Sequence, residues 1–268
     1  MGANAPSGQK FSETGVLCGV RTGRPGRVTE VFPAGPSMYD GFAEEFLQHA
    51  QEGAYNAYYD RPAVLSVLGC VRGLAVLDLG CGPGLYAEEL VARGARRVVG
   101  VDASADMVRL AVARVPGPAQ FRQHDLQAPM AWAGDAEYDV ALMPLVLHHL
   151  DDRVAALREI TRVLRPGGRL VVSTSHPTND WLRLGSSYFA VEKVYERWIK
   201  GLDVTYWRLP LDRTCDEFRD SGLLIERIHE PRPSAELGER YPDVAERLAM
   251  APAFIVFSLL KPFPAAAR

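Results

Sequence analysis

Cysteine is scarce and scattered. The four present, Cys18, Cys70, Cys81 and Cys215, show no metal-ligand or redox spacing. That excludes a disulfide scaffold, a zinc ribbon and a CxxC redox centre, and no metal site is expected; free thiols in a reducing compartment are. Lysine is just as rare: of 30 basic residues only Lys10, Lys193, Lys200 and Lys261 are lysine, and 33 acids leave a net charge of −3. A strong nucleic-acid binder would be basic, so nucleic acid is not an expected partner. No apolar run approaches the roughly 20 residues that a membrane span needs, and Met1 to Lys10 is small and polar with no signal-peptide core. The expectation is a cytoplasmic protein with no membrane partner.

With 47% apolar residues in 268, the chain supports one large α/β domain carrying an insertion. Residues 1–36 are rich in Gly, Pro, Ser and Arg without sustained apolar periodicity, and read as a disordered tail. Residues 37–268 read as the domain. Its centre is Val76-Leu77-Asp78-Leu79-Gly80-Cys81-Gly82-Pro83-Gly84. Val76, Leu77 and Leu79 read as a parallel strand buried on both faces. The glycines read as a tight turn against whose bare backbone a ligand can lie, and Leu85 to Leu90 as the helix that follows. Strand, glycine turn and helix place a nucleotide site at the carboxyl edge of a parallel sheet. The spacing Gly80-x-Gly82-x-Gly84 is not the G-x-G-x-x-G of dinucleotide oxidoreductases. A second strand, Arg96 to Asp102, ends in an acid about 20 residues past the turn, where a carboxylate meets a ribose hydroxyl pair in doubly wound folds.

The nine-residue string closely resembles motif I of class I S-adenosylmethionine (SAM)-dependent methyltransferases, and Leu147-His148-His149-Leu150-Asp151-Asp152 resembles the His-His segment of their UbiE-like, methyltransferase-11 branch. The resemblance covers residues 38–262. It implies a Rossmann-like doubly wound sheet of seven strands, the last antiparallel, with SAM as cofactor and a small-molecule acceptor. Asp78, Gly80, Cys81, Gly82 and Gly84 would pack on the amino-acid end of SAM, and Asp102 with Ala103 would bind its ribose. Met107 would lie on the adenine face, with plain core packing as the alternative. Asp125 and the N–H of Leu126 would meet the adenine edge, and Leu145, ending the fourth strand, would face the methyl group. Residues 38–69 would form a helical cap from which Tyr39, Tyr59 and Arg61 reach the cofactor carboxylate or the acceptor; helix packing is the alternative for each tyrosine.

His148 and His176 are the candidate general bases, His148 preferred over His149 by analogy, with helix capping or pocket lining as the alternative. Residues 177–211 form an insertion dense in aromatics, among them Trp181, Tyr188, Trp198 and Tyr206. It reads as an acceptor lid with Trp181, Tyr188, Tyr206 and Arg208 as contacts, Asp180 and Arg183 beside them, or else as a homodimer interface. There is no Asn/Asp-Pro-Pro-Tyr/Phe string and no Pro-Cys pair, which removes the DNA-methylating signatures. Methyl transfer to an O, N or C nucleophile of a small molecule is therefore expected, and the Arg- and Ala-rich composition associates it with natural-product biosynthesis. The rival readings are a SAM-binding protein without methyl transfer and an RNA or protein methyltransferase.

Overall fold

The computed structural model describes residues 37–115, 117–197 and 202–264; the expected tail over 1–36 and Trp198 lie outside them. A cap comes first: α1 (Ala43–Glu52), a π-helical turn (Asn56–Asp60) and α2 (Arg61–Leu68), with Pro62 in the first turn of α2 where its missing N–H costs nothing. Then come β1 (Ala75–Leu79), α3 (Leu85–Ala92), β2 (Arg97–Asp102), α4 (Ala105–Arg114), β3 (Ala119–Gln123), β4 (Tyr138–Pro144), α5 (Arg153–Val163) and β5 (Leu164–Ser175), strand and helix alternating except that a loop joins β3 to β4. The insertion follows as α6 (Pro177–Leu184), β6 (Glu192–Arg197) and β7 (Asp203–Arg208), and the chain closes with α7 (Leu211–Asp220), β8 (Leu224–His229), α8 (Ala235–Arg240), α9 (Pro242–Met250) and β9 (Phe254–Leu260).

The main sheet runs β3-β2-β1-β4-β5-β9-β8. β1 to β5 are parallel to one another, and β9 inserts antiparallel to both neighbours, β5 and β8. This is the expected Rossmann-like seven-stranded class. Period-two alternation divides the core. Leu77, Leu79, Val99, Ala141 and Met143 face α5 and α7, where Leu157 and Phe218 lie. Val76, Val98, Val140 and Leu142 face α2 and α3, where Val64, Leu68 and Leu90 lie. Asp78, two residues beyond Val76, falls on the α2–α3 face. The strand order reverses between β1 and β4, so the chain leaves a crevice outside their carboxyl ends.

Pro166, Gly167 and Gly168 lie within β5, whose ladder with β4 shifts register between Tyr138 and Val140. β3 ends at Gln123, leaving His124 and Asp125 beyond the strand. The helical stretch after β8 breaks into α8 and α9 at Tyr241, which Pro242 holds out of helical geometry (φ −139°, ψ 65°). The insertion is a short helix and a two-stranded ribbon, β6 and β7, whose own small core of Val194, Leu202, Val204 and Tyr206 packs on Met38, Tyr39 and Phe42 of the cap. No helix among the described residues is long and apolar enough to cross a membrane.

Phe218 of α7 is fully buried edge-on against Phe257 of β9, with ring centroids 5.0 Å apart. Phe218→Ala is expected to lower unfolding free energy by about 3–5 kcal/mol in urea titrations. Val112→Ala, at a position 57% exposed, should change it by no more than about 0.5 kcal/mol.

Candidate active site

The loop after β1 makes its turn with glycine at positive φ. Gly80 sits at φ +68°, and a Cβ there would fall 2.3 Å from Cγ2 of Val146; Gly82 sits at φ +51°, and its Cβ position faces open space, the nearest atom being Cε1 of Phe46 at 3.9 Å. The turn is tied to β2. The Cys81 N–H donates to the Val101 carbonyl at 2.9 Å, and the Gly82 N–H donates to Oδ2 of Asp102 at 2.9 Å. Oδ1 of Asp102 accepts from the Ser104 N–H at 2.9 Å, and Ser104 in turn caps α4 by accepting from the Met107 N–H. One carboxylate thus joins three successive elements. Burial raises its pKa, partly offset by the Ser104 and Gly82 amides.

These elements border a cavity of about 870 Å³. Gly80, Cys81 and Gly82 line it, and so do Asp102, Ala103, Met107, Asp125 and Leu126. Leu145, Val146, His148 and His149 lie at the ends of β4, and Tyr39, Phe46, Arg61 and Tyr86 come from the cap and α3. Leu145 holds φ +55°, its N–H donating to the Ser173 carbonyl and hydroxyl.

The two histidines differ in their partners. His148 is buried, with Nδ1 3.1 Å from Oγ1 of Thr174. Its pKa lies well below the ordinary imidazole value, through burial and then the neighbouring His149 and Arg153. His149 has Nδ1 2.9 Å from the Thr205 carbonyl of β7 and Nε2 3.5 Å from the Tyr39 hydroxyl. A carbonyl only accepts, so Nδ1 carries the proton and Nε2 keeps its lone pair. Burial lowers the His149 pKa as well, and raises that of Tyr39.

Other expected site residues stand elsewhere. Asp78 lies beneath the loop, fully buried, off the cavity wall, with neither carboxylate oxygen hydrogen-bonded; burial and the charge of Asp102 lift it to about 7. Gly84 is also off the wall, in the left-handed conformation that starts α3. Tyr59 points away, its buried hydroxyl donating to the Pro231 carbonyl at 2.8 Å. His176 caps α6, with Nδ1 accepting from the Thr178 N–H and Nε2 3.0 Å from Glu230, so both ring nitrogens are engaged outside the cavity.

None of Trp181, Tyr188, Tyr206 and Arg208 lines the cavity either. Tyr206 is buried in the ribbon core and bonded to Arg183 and Glu196. Arg208 is held by Glu192, Gly185 and Ser186. Tyr188 accepts from the Leu211 N–H. Asp180 is likewise paired with Arg183. Trp181 is half-exposed and edge-on to Tyr188. The insertion's contribution to the wall is Arg197, and the Thr205 carbonyl behind His149. Sequence reasoning missed Asp60, Tyr86, Phe46 and His124, all on the wall.

A glycine turn and a ribose-positioned acid at the switch point of a doubly wound sheet define a nucleotide-binding site of the methyltransferase type. Residues 77–172, from β1 into β5, match the family described as Methyltransferase domain. Trans-aconitate 2-methyltransferase of Azoarcus sp. (strain BH72) is 36% identical over 170 residues, covering 57% of this chain and 66% of that protein. Demethylmenaquinone methyltransferase of Lactococcus lactis subsp. lactis (strain IL1403) is 32% identical over 211 residues, covering 75% of this chain and 79% of that protein. A solved S-adenosylmethionine-dependent methyltransferase from Mesorhizobium loti matches with a TM-score of 0.63 at 25% identity, covering 79% of this chain and 99% of its own. The chain belongs to the class I S-adenosylmethionine-dependent methyltransferases, and its cofactor is S-adenosylmethionine.

The residues present fit that cofactor. The open space over Gly82 admits it against bare backbone, and each oxygen of Asp102 retains a lone pair for a ribose hydroxyl. Gly82→Val is expected to abolish SAM binding in calorimetry with the circular dichroism spectrum intact, and Asp102→Ala to weaken it roughly tenfold or more. Normal affinity in either would remove that residue from the site. Asp78 makes a second prediction. A carboxyl whose pKa is raised on folding binds protons more tightly folded than unfolded, so it destabilises the protein above its folded value, and that effect vanishes below its unfolded value. Asp78→Asn should therefore stabilise the ligand-free protein at pH 8, by on the order of 3 kcal/mol. In urea titrations the gain should decline from about pH 7 and be gone near pH 4; a pH-independent change would contradict the burial of an uncompensated charge.

Proposed function

We propose that this protein methylates a small molecule bound in the cavity between the glycine loop and the cap, with His149 as the base that accepts the acceptor's proton. The observation that carries this is the pair formed by Nε2 of His149 and the Tyr39 hydroxyl, 3.5 Å apart on the wall of the same cavity that the glycine loop lines. Small-molecule sites commonly occupy roughly 300–1,000 Å³; this one, near the upper end, has room for an acceptor beside the cofactor. Relatives named for trans-aconitate and demethylmenaquinone fit a small acceptor.

The bound cofactor supplies an electrophilic methyl group, so the protein's work is alignment and proton removal. Gly80, Cys81, Gly82 and Asp102 would hold the cofactor, with Asp125, Leu126 and Met107 at its adenine end. Thr205 keeps the Nδ1 proton of His149 in place, which leaves Nε2 to take a proton from a phenol, acid or carbon acid. His148, kept neutral beside it with ring centroids 4.3 Å apart, adds no positive charge to oppose protonation of His149. Tyr39 would orient the acceptor's donor atom. His148 is the alternative base; its Nδ1 partner is a hydroxyl that can donate or accept, so its tautomer is not fixed. The half-exposed Trp181 and the exposed Phe189, each in edge contact with Tyr188, suit an interface between two copies better than an acceptor wall, since none of the three reaches the cavity.

The direct test is transfer of labelled methyl from SAM to phenol, carboxylate and amine acceptors. Tight SAM binding with no labelled product from any class would favour a SAM-binding protein without transfer. With an acidic acceptor in hand, His149→Ala should slow single-turnover transfer by about 10²–10⁴-fold and leave SAM affinity unchanged. In the wild type the rate should rise with pH through a midpoint below the ordinary 6.5, because the base must be neutral and burial lowers its pKa. An undiminished rate in His149→Ala would assign proton removal elsewhere.

A further inference from the structure

Two guanidinium groups lie on the cavity wall, those of Arg61 and Arg197. Arg61 belongs to the cap, where its Nη2 donates to the Ala50 carbonyl at 3.1 Å. Arg197 ends β6 and, among the described residues, is the one residue of the insertion on the wall. In the ribbon ladder Tyr195 pairs with Thr205 and Arg197 with Asp203. These four side chains share one face, opposite the face that buries Val194, Val204 and Tyr206. The Thr205 carbonyl anchors Nδ1 of His149. Arg197 therefore stands two residues along the ribbon from that anchor, about 7 Å. Its Nε donates to Oδ1 of Asp203 at 3.0 Å, and its two terminal nitrogens have no partner among the described residues. Asp203 itself is off the wall. Both side chains of the pair are 71% exposed, so water screens the attraction and the pair holds the guanidinium only weakly.

The acids of the wall are committed to other partners. Asp60 is bonded to Tyr86 and Ser173, Asp102 holds the Gly82 and Ser104 amides, and Asp125 accepts from the Gln127 N–H. Asp151, which reaches the same ribbon face, accepts from Nζ of Lys193 and Nε1 of Trp207 and is off the wall. Burial holds His148 and His149 toward the neutral form. Arg197 thus brings to the acceptor's side of the cavity a positive charge whose two-pronged end is unused. A planar fork of this kind matches a carboxylate or a phosphate by two parallel hydrogen bonds. We propose that Arg197 receives an anionic group of the acceptor, so that the site selects acidic small molecules. This rests on the acceptor cavity and the base proposed above. An acceptor held at its acid by Arg197 presents to Nε2 of His149 a nucleophile a few bonds away, and a neutral analogue of the same shape lacks that hold.

The test offers labelled SAM with matched acceptors. These are hydroxyphenylacetic and aminobenzoic acids and aliphatic dicarboxylic acids, each beside its primary amide, and hydroxyphenyl phosphate. The wild type should use an acid, carboxylic or phosphoric, with kcat/KM roughly tenfold or more above the amide. Arg197→Gln should erase that preference, chiefly by raising KM for the acid, and leave SAM affinity unchanged. Arg197→Lys, which keeps the charge but not the fork, should retain part of it. In the wild type KM for the acid should rise with salt, and in Arg197→Gln it should not. Asp203→Asn should keep the preference; its loss there as well would make the pair merely structural and overturn the assignment. Amides used as well as acids by the wild type, or an acid preference that survives Arg197→Gln, also overturns it while leaving methyl transfer standing. If no acceptor of the set is labelled, the acceptor cavity itself falls, and this assignment with it.

Discussion

The site depends on the carboxylate of Asp102. Its two oxygens hold the amides of Gly82 and Ser104, so one side chain ties the turn after β1, the end of β2 and the start of α4. The turn needs such a tie. Gly80, Gly82 and Gly84 all lie at positive φ, and residues this free lose more conformational entropy on ordering than any others. A charged acceptor for a turn N–H forms a stronger bond than a neutral one, and burial strengthens it further. The same bonds leave Asp102 on the cavity wall with remaining lone pairs, so the group that orders the loop also keeps acceptor capacity for a ligand there.

The second constraint is the acidity collected around that loop. Asp60 and Asp78 are buried and Asp102 is half-buried, and desolvation raises the pKa of each. Only Asp60 has a guanidinium close enough to offset part of the effect. An uncompensated buried carboxylate destabilises the ligand-free fold. The histidine end is different in kind. His148 and His149 are both pushed toward neutrality, so the acceptor end carries proton-accepting capacity without fixed charge.

The glycine loop, Asp102 and the histidine pair were legible in the sequence because each is a local signal. Apolar runs with glycine at every second position specify strand and turn, and an acid at a strand's carboxyl end needs only the strand to be placed. The errors came from side chains whose partners are distant in sequence. Tyr59 bonds Pro231 and His176 meets Glu230, contacts that no local pattern encodes. The aromatic density of the insertion suits an acceptor wall or an interface between two copies. Density does not say which face of a ribbon is inward, and Tyr206 points into the ribbon's own core against the cap. Asp60 was invisible for the opposite reason. An acid before Arg-Pro at a helix start looks like ordinary helix chemistry, and only the Tyr86 hydroxyl that meets it from α3, 26 residues on, marks its place on the wall.

The insertion acts on the site from behind it. β7 gives up no side chain to the cavity, yet the Thr205 carbonyl fixes which nitrogen of His149 bears the proton, and the ribbon core buttresses Tyr39. The insertion can therefore change its outer face without disturbing the His149 tautomer, as long as the β7 backbone keeps its register with β6. The acceptor end is then set by two loosely coupled parts: a histidine whose tautomer comes from backbone, and a cap whose residues Tyr39 and Phe46 meet edge to face over the cavity, centroids 5.2 Å apart. The cofactor end has no such freedom, because its loop, its acid and its helix start share one carboxylate. The fold thus ties the glycine loop, Asp102 and the start of α4 rigidly together and leaves adaptability to the cap and the outer face of the insertion.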